Sequence, residues 1–118
     1  MIHSFRDLVV WQKGMDLAVA AYKATEQFPQ SEKFGLTSQI RRASGSIPSN
    51  VAEGKALGGR NYPRHVKIAL GSEAELQTHV ELAKRLKMLT DEDARALLDQ
   101  ASEVGRMLAG LFGSLPRK

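Results

Sequence analysis

Apolar residues recur every three or four positions along most of the chain, which is the period of an amphipathic helix rather than of a strand. The first helical segment carries two such series side by side. One series is Leu8, Trp11, Met15, Ala18, Tyr22 and Thr25, and the other is Val10, Gly14, Leu17, Ala21, Ala24 and Phe28. With the first series at heptad positions a and d, the second falls at g and c, so about four of seven positions are apolar where a bundle helix uses about three. The extra apolar positions allow two interpretations. Either they form a face that contacts a second subunit, or they are small alanines that tolerate exposure to solvent.

The second helical stripe is interrupted by a proline. Its apolar positions are Leu36, Ile40, Ala43, Ile47 and Val51. Pro48 lacks an amide proton and crowds the carbonyl one turn earlier, but the small residues at 44–46 leave room for a kink. We therefore predict one bent helix rather than two short ones. Gly54 and the pair Gly58 and Gly59 are expected to end it.

Capping and proline signals delimit the other helices. Ser4 and Asp7 have the spacing of a capping box at the start of the first helix, and Pro29 ends that helix. A third helix is expected to begin near Asn61, and Thr90 is expected to cap a fourth. The seam of the third is Ala69, Ser72, Leu76, His79, Ala83 and Leu86, and the seam of the fourth is Ala94, Leu97, Ala101, Val104, Leu108, Leu111 and Leu115.

These four helices, of roughly 20–28 residues each and joined by short turns, indicate an all-α fold. The expected architecture is an antiparallel up-down-up-down four-helix bundle with a proline kink in the second helix. The length of 118 residues fits one domain, which we expect to span residues 1–118.

Composition excludes several classes of protein. The absence of cysteine rules out disulfides, thiolate metal sites and a cysteine nucleophile. The N-terminal residues lack the pattern of a signal peptide, and no apolar run approaches the roughly 18–20 residues of a membrane span. We therefore expect a cytoplasmic protein that does not contact a membrane.

Charge is distributed unevenly along the chain. The net charge is +4, but the stretch from Lys33 to Lys67 contains seven basic residues and a single acid, Glu53. By contrast, residues 91–103 contain five acids and only one basic residue, Arg95. The molecule is expected to be electrically two-sided, with one face suited to an anionic partner.

The strongest candidate for function lies within the basic stretch. Residues 55–67 contain no acid and include Tyr62, whose ring can stack on a base. Lysine and arginine neutralise phosphates and release counterions, which gives salt-sensitive affinity independent of sequence. The predicted contacts to RNA or DNA are Arg41, Arg42, Lys55, Arg60, Arg64 and Lys67. The alternative is that these side chains form an ordinary solvated face.

No constellation of catalytic or metal-ligating residues is recognisable in the sequence. Glu75 and His79 lie one turn apart, but no third ligand accompanies them, and the Glu-x-x-His motifs of di-iron bundles are absent. His79 is expected instead in a bundle seam with a hydrogen-bond partner. The serines at 44, 46 and 49 have no histidine or acid nearby in sequence to activate them. We expect no catalysis, no cofactor and no metal.

Two acids are expected to serve structure. Glu53 and Glu73 lie on or beside apolar or basic faces, and Arg41 or Arg42 could pair with one of them. Such a pair between the second and third helices would set their register, whether or not it adds to stability.

Three blocks of sequence resemble a known family. They are FRDLVVWQKGMDLAVAAYKATEQFP (5–29), LTSQIRRASGSIPSNVAEG (36–54) and KIALGSEAELQTHVELAKRLKML (67–89). Together, and in this order, they are similar to the four-helix-bundle proteins encoded within intervening sequences of bacterial 23S ribosomal RNA genes. The one departure is Gly45, where the family pattern favours an aliphatic residue.

The resemblance carries expectations about partners. It implies a homopentamer, and kinship with the basic accessory subunit of diversity-generating retroelements, which associates with a reverse transcriptase and nucleic acid. Two hypotheses follow. The first is a non-catalytic homo-oligomer that binds RNA or DNA electrostatically. The second is a scaffold that holds a protein partner, such as a reverse transcriptase, on the wide face of the first helix or on the acidic fourth helix.

Overall fold

A computed structural model describes residues 3–116. Its elements are a 3-10 turn at Phe5–Asp7, helix α1 at Val9–Thr25, a second 3-10 turn at Gln30–Glu32, and helices α2 at Leu36–Leu57, α3 at Asn61–Arg85 and α4 at Asp91–Ser114. Within this range the chain forms no strand. The prediction of an all-α fold with four helices is confirmed.

Each helix packs against its neighbours in sequence, and α1 also packs against α4 to close the bundle. The most extensive interface joins α2 and α3. Across it, the hydroxyls of Ser46 and Ser72 lie 2.9 Å apart, and Asn50 Oδ1 lies 2.9 Å from His65 Nδ1. Because residues later in α2 meet residues earlier in α3, these two helices run in opposite directions.

The second apolar series of α1 supplies most of the buried residues of this helix. Of the five buried residues of α1, Val10, Gly14, Leu17 and Ala21 belong to the second series and Thr25 belongs to the first. From the first series, Met15 is 41% exposed and Tyr22 is 49% exposed. Both series have the same period, so the neighbouring helix decides between them. At Gly14 an added Cβ would meet Ile47 of α2 at the ordinary contact distance of 3.6 Å, so α2 packs directly against this series.

Helix α2 runs without interruption through Pro48, which is buried inside it. The prediction of one helix rather than two is therefore confirmed, while the kink stays a prediction. Gly54 does not end the helix, which continues to Leu57. The turn that follows uses Gly58 and Gly59, whose φ angles of 71° and 55° lie in the left-handed region that favours glycine.

Of the two predicted helix caps, one lies on a different element and the other is confirmed. The capping box of Ser4 and Asp7 is formed, but it caps the 3-10 turn, because Leu8 is extended and separates that turn from α1. Thr90 caps α4 as predicted, with its Oγ1 accepting a hydrogen bond from the Asp93 amide at 3.0 Å.

Helices α2 and α3 approach each other closely at Gly54. An added Cβ there would lie 2.9 Å from His65 Cβ and 3.2 Å from the Tyr62 carbonyl oxygen, atoms that cannot rotate away. By contrast, a Cβ at Gly71 of α3 would meet nothing within 4 Å. The two glycines therefore separate the steric effect of a methyl group from its effect on helix propensity.

We expect Gly54→Ala to lower the free energy of unfolding by about 1–2 kcal/mol, because overpacking outweighs the gain in helix propensity. The matched control Gly71→Ala should raise it by about 0.5–1 kcal/mol. Urea denaturation followed by circular dichroism measures both. A stabilised Gly54→Ala variant would contradict the close approach.

Candidate nucleic-acid interface

Four of the six predicted contact residues gather around the α2–α3 turn. Lys55 lies in the last turn of α2, and Arg60 immediately precedes α3. Arg64 and Lys67 follow on α3 at positions four and seven residues beyond Arg60, a spacing that keeps all three on one side of the helix. Arg60, Arg64 and Lys67 are exposed, and Lys55 is half-buried. We call Lys55, Arg60, Arg64 and Lys67 the basic end of the bundle.

The charges of the basic end are not compensated within residues 3–116. The two ion pairs in this range involve other side chains. The four cations donate no hydrogen bonds there, and Lys55 Nζ lies 6.0 Å from the centroid of the Tyr62 ring. The nearby His65 instead binds Asn50 through Nδ1. Cations without internal partners are free to neutralise the phosphates of a nucleic acid.

Arg41 lies outside the basic end and forms hydrogen bonds with α1. Its Nε donates to Thr25 Oγ1 at 2.8 Å, and its Nη2 donates to the Tyr22 carbonyl oxygen at 3.3 Å. Its guanidinium also lies 4.7 Å from the centroid of the Tyr22 ring. Arg41 therefore joins α2 to the last turn of α1, where its donors satisfy the end of that helix.

Arg42 forms an ion pair with Glu75 of α3 and donates to Gln39 at 3.0 Å. The predicted pairing of Arg41 or Arg42 with Glu53 or Glu73 is therefore wrong. Glu75 faces α2, whereas Glu73, two residues earlier, points to the other side of α3. Arg42 also lies about 20 Å along α2 from Lys55, so the structure does not bring it into the basic end.

Glu73 is buried between α3 and α4, with only 7% of its surface exposed. Its carboxylate accepts a hydrogen bond from Gln77 and lies beside Gly105, where an added Cβ would be 2.8 Å from Oε1. The absence of a side chain at Gly105 makes room for the carboxylate. Glu73 therefore packs between α3 and α4, and it does not form the ion pair between α2 and α3 that the sequence predicted.

An apolar groove opens beside the basic end. It has a volume of about 320 Å³ and is lined by Gly59, Arg60, Tyr62, Pro63, Leu115 and Pro116. The Tyr62 phenol carries no charge at neutral pH, because its ordinary pKa of 10.0 is already well above neutrality and burial raises it further. Sequence reasoning singled out Tyr62 but missed Leu115 and Pro116, because only the packing of α4 on α3 brings the end of the chain to this position.

A second groove lies on the surface between α1 and α2. It has a volume of about 390 Å³ and is lined by Trp11, Met15, Ala18, Gly45, Pro48, Ser49 and Ala52. Val19 and Tyr22 extend its apolar surface along α1, since both are about half exposed. We call this surface the α1–α2 groove. It is the surplus apolar face that the pattern of α1 predicted.

The part of the chain that the structure describes offers little for metal chemistry or membrane insertion. Over residues 3–116, no three His, Asp or Glu side chains converge as metal ligands would. His79 Nδ1 is buried and has no hydrogen-bond partner among these residues, so the partner expected for it is not found. None of the four helices is both long and apolar enough to cross a bilayer.

Comparison with known proteins identifies the family. Residues 6–110 match the family described as 23S rRNA-intervening sequence protein. The fold is shared with a crystal structure of a protein with unknown function from the S23 ribosomal protein family of Bacteroides thetaiotaomicron VPI-5482, with a TM-score of 0.80 at 24% identity over 90% of this chain and 100% of that one. No curated protein matches the chain. The resemblance of the three sequence blocks is confirmed, and the chain belongs to the 23S rRNA-intervening sequence protein family.

Proposed function

We propose that this protein is a non-catalytic homo-oligomer that binds the phosphate backbone of RNA or DNA through its basic end. The observation that carries the proposal is the clustering of Lys55, Arg60, Arg64 and Lys67 without an acidic partner among the described residues. Arg60, Arg64 and Lys67 are exposed at the α2–α3 turn and along the first two turns of α3, and Lys55 lies in the last turn of α2. Such a surface recognises backbone charge and not base sequence.

Self-association is the second part of the proposal. Its support is the α1–α2 groove, whose apolar side chains are exposed in a single chain. A second copy is the occupant we propose, and five copies is the number implied by the family resemblance. Repeating the basic end in one assembly would add the fields of all copies and turn a modest net charge of +4 per chain into a strongly attractive surface.

The acidic side of the molecule supports an alternative. Asp91, Glu92 and Asp93 form an exposed, negative first turn of α4, and none of them pairs with a cation within residues 3–116. This turn could bind a basic protein, such as a reverse transcriptase, while the basic end holds nucleic acid. A specific protein partner recovered from cells after nuclease treatment would support this scaffold function.

Light scattering after size exclusion tests the proposal directly. Without nucleic acid, we expect a mass near five times the chain mass of 13.0 kDa. Adding a short RNA or DNA at low salt should increase that mass, and raising the salt to a physiological level should reduce the increase. A mass that does not change with either nucleic acid at low salt would contradict nucleic-acid binding, and a 13.0 kDa species would contradict self-association.

A further inference from the structure

We infer that the groove beside the basic end takes one unpaired nucleobase, so that the protein prefers single-stranded nucleic acid to a duplex. This inference rests on the proposed function and adds to it a preference that backbone contacts alone would not produce. We call the groove lined by Gly59, Arg60, Tyr62, Pro63, Leu115 and Pro116 the base pocket.

The shape and chemistry of the base pocket suit a flat apolar group. Its volume of about 320 Å³ is at the lower end of the range of about 300–1,000 Å³ typical of small-molecule sites. The Tyr62 ring, Pro63, Leu115 and Pro116 make its surface mostly apolar. Because every base has a π-face, stacking on an aromatic ring is tolerant of sequence, in agreement with a surface that reads backbone charge.

The positive charges around the base pocket indicate that a ligand whose planar group occupies the pocket also carries phosphates. Arg60 is itself part of the lining and is exposed, and Lys55 Nζ lies 6.0 Å from the centroid of the Tyr62 ring. Arg64 and Lys67 continue the positive surface along α3, about 6 Å and about 10 Å beyond Arg60 along the helix axis. A planar apolar group in the pocket would thus be joined to phosphates on cations, and this combination is the chemistry of a nucleotide within a strand.

The phenol of Tyr62 is compatible with such a ligand. A phenol with an ordinary pKa is already neutral at neutral pH, and burial raises the pKa of Tyr62 further, so its side chain does not repel the adjoining phosphates. In a duplex the same base would first have to leave its stack and its partner, which costs free energy that a single strand does not require. The pocket therefore favours single strands, while the cations serve both forms.

The inference is tested on the full-length protein with fluorescently labelled RNA and DNA of one sequence, each as a single strand and as a duplex. Fluorescence anisotropy at one fixed salt concentration gives the four dissociation constants. We expect Tyr62→Leu to weaken single-strand binding by about tenfold and to leave duplex binding unchanged. Tyr62→Phe keeps the ring and should behave as the unmodified protein. Phe34→Leu, at an exposed aromatic residue that lines neither the base pocket nor the α1–α2 groove, should also have no effect on binding.

A second measurement does not depend on the folding of a variant. The chain has two tyrosines, so labelling with 3-fluorotyrosine gives one fluorine signal for Tyr62 and one for Tyr22. Adenosine monophosphate should shift the Tyr62 signal alone, and inorganic phosphate should shift it much less. Equal affinity for single strands and duplexes, with an unmoved Tyr62 signal, would overturn the base pocket and leave backbone binding standing. Failure to bind either form would overturn both proposals.

Discussion

Replacing both Arg60 and Arg64 with alanine is expected to weaken binding to every duplex, whatever its sequence, by roughly 30-fold at about 0.15 M salt. Each phosphate contact adds about 0.9 to the slope of log affinity against log salt, so losing two contacts should flatten that slope by about 2. Both side chains are exposed and neither donates a hydrogen bond within residues 3–116, so the fold should be retained. Duplex DNA is the right ligand because it isolates the phosphate contacts from the base pocket.

The matched control is Arg95→Ala with Arg106→Ala. Both arginines are exposed on α4, and the double substitution removes the same total charge far along the chain from the basic end. We expect it to change duplex affinity and its salt slope much less. If the two double variants lose affinity equally, net charge alone attracts the nucleic acid. Unchanged affinity in the Arg60 and Arg64 variant would remove the basic end from consideration.

Met15→Glu is expected to dissociate the homo-oligomer and to reduce the mass in solution to the 13.0 kDa of one chain. Met15 lies in the α1–α2 groove and is 41% exposed, so a single folded chain should tolerate the carboxylate. In an assembly that covers the groove, the same carboxylate would be buried without a partner in every copy, which costs several kcal/mol each time. Affinity for nucleic acid should fall as well, because separate chains no longer bind together.

Leu82→Glu is the control for this substitution. Leu82 is a similarly exposed apolar residue, at 43%, but it lies on α3 and outside the α1–α2 groove. We expect its variant to keep the mass of the unmodified protein. An unchanged mass for Met15→Glu, together with dissociation by Leu82→Glu, would place the interface between subunits on α3 instead.

Much of the local structure is determined by the sequence alone. The three- and four-residue spacing of apolar side chains specifies four helices because a helix must bury one side. Thr90 caps α4 as its position predicts, and Gly58 and Gly59 adopt the left-handed angles that only a glycine turn allows easily. The basic segment is also visible in the sequence, since Arg60, Arg64 and Lys67 lie within two turns of one helix.

Only the tertiary structure decides between alternatives that share one local pattern. Both apolar series of α1 have the helical period, and the approach of α2 at Gly14 selects which becomes core. Arg41 and Arg42 are as basic as Arg60, yet Thr25 and Glu75 engage them across helix interfaces. Leu115 and Pro116 join Tyr62 although more than fifty residues separate them. These outcomes depend on contacts between segments that are distant in sequence. Periodicity and composition do not determine them, because both describe only residues that are close together along the chain.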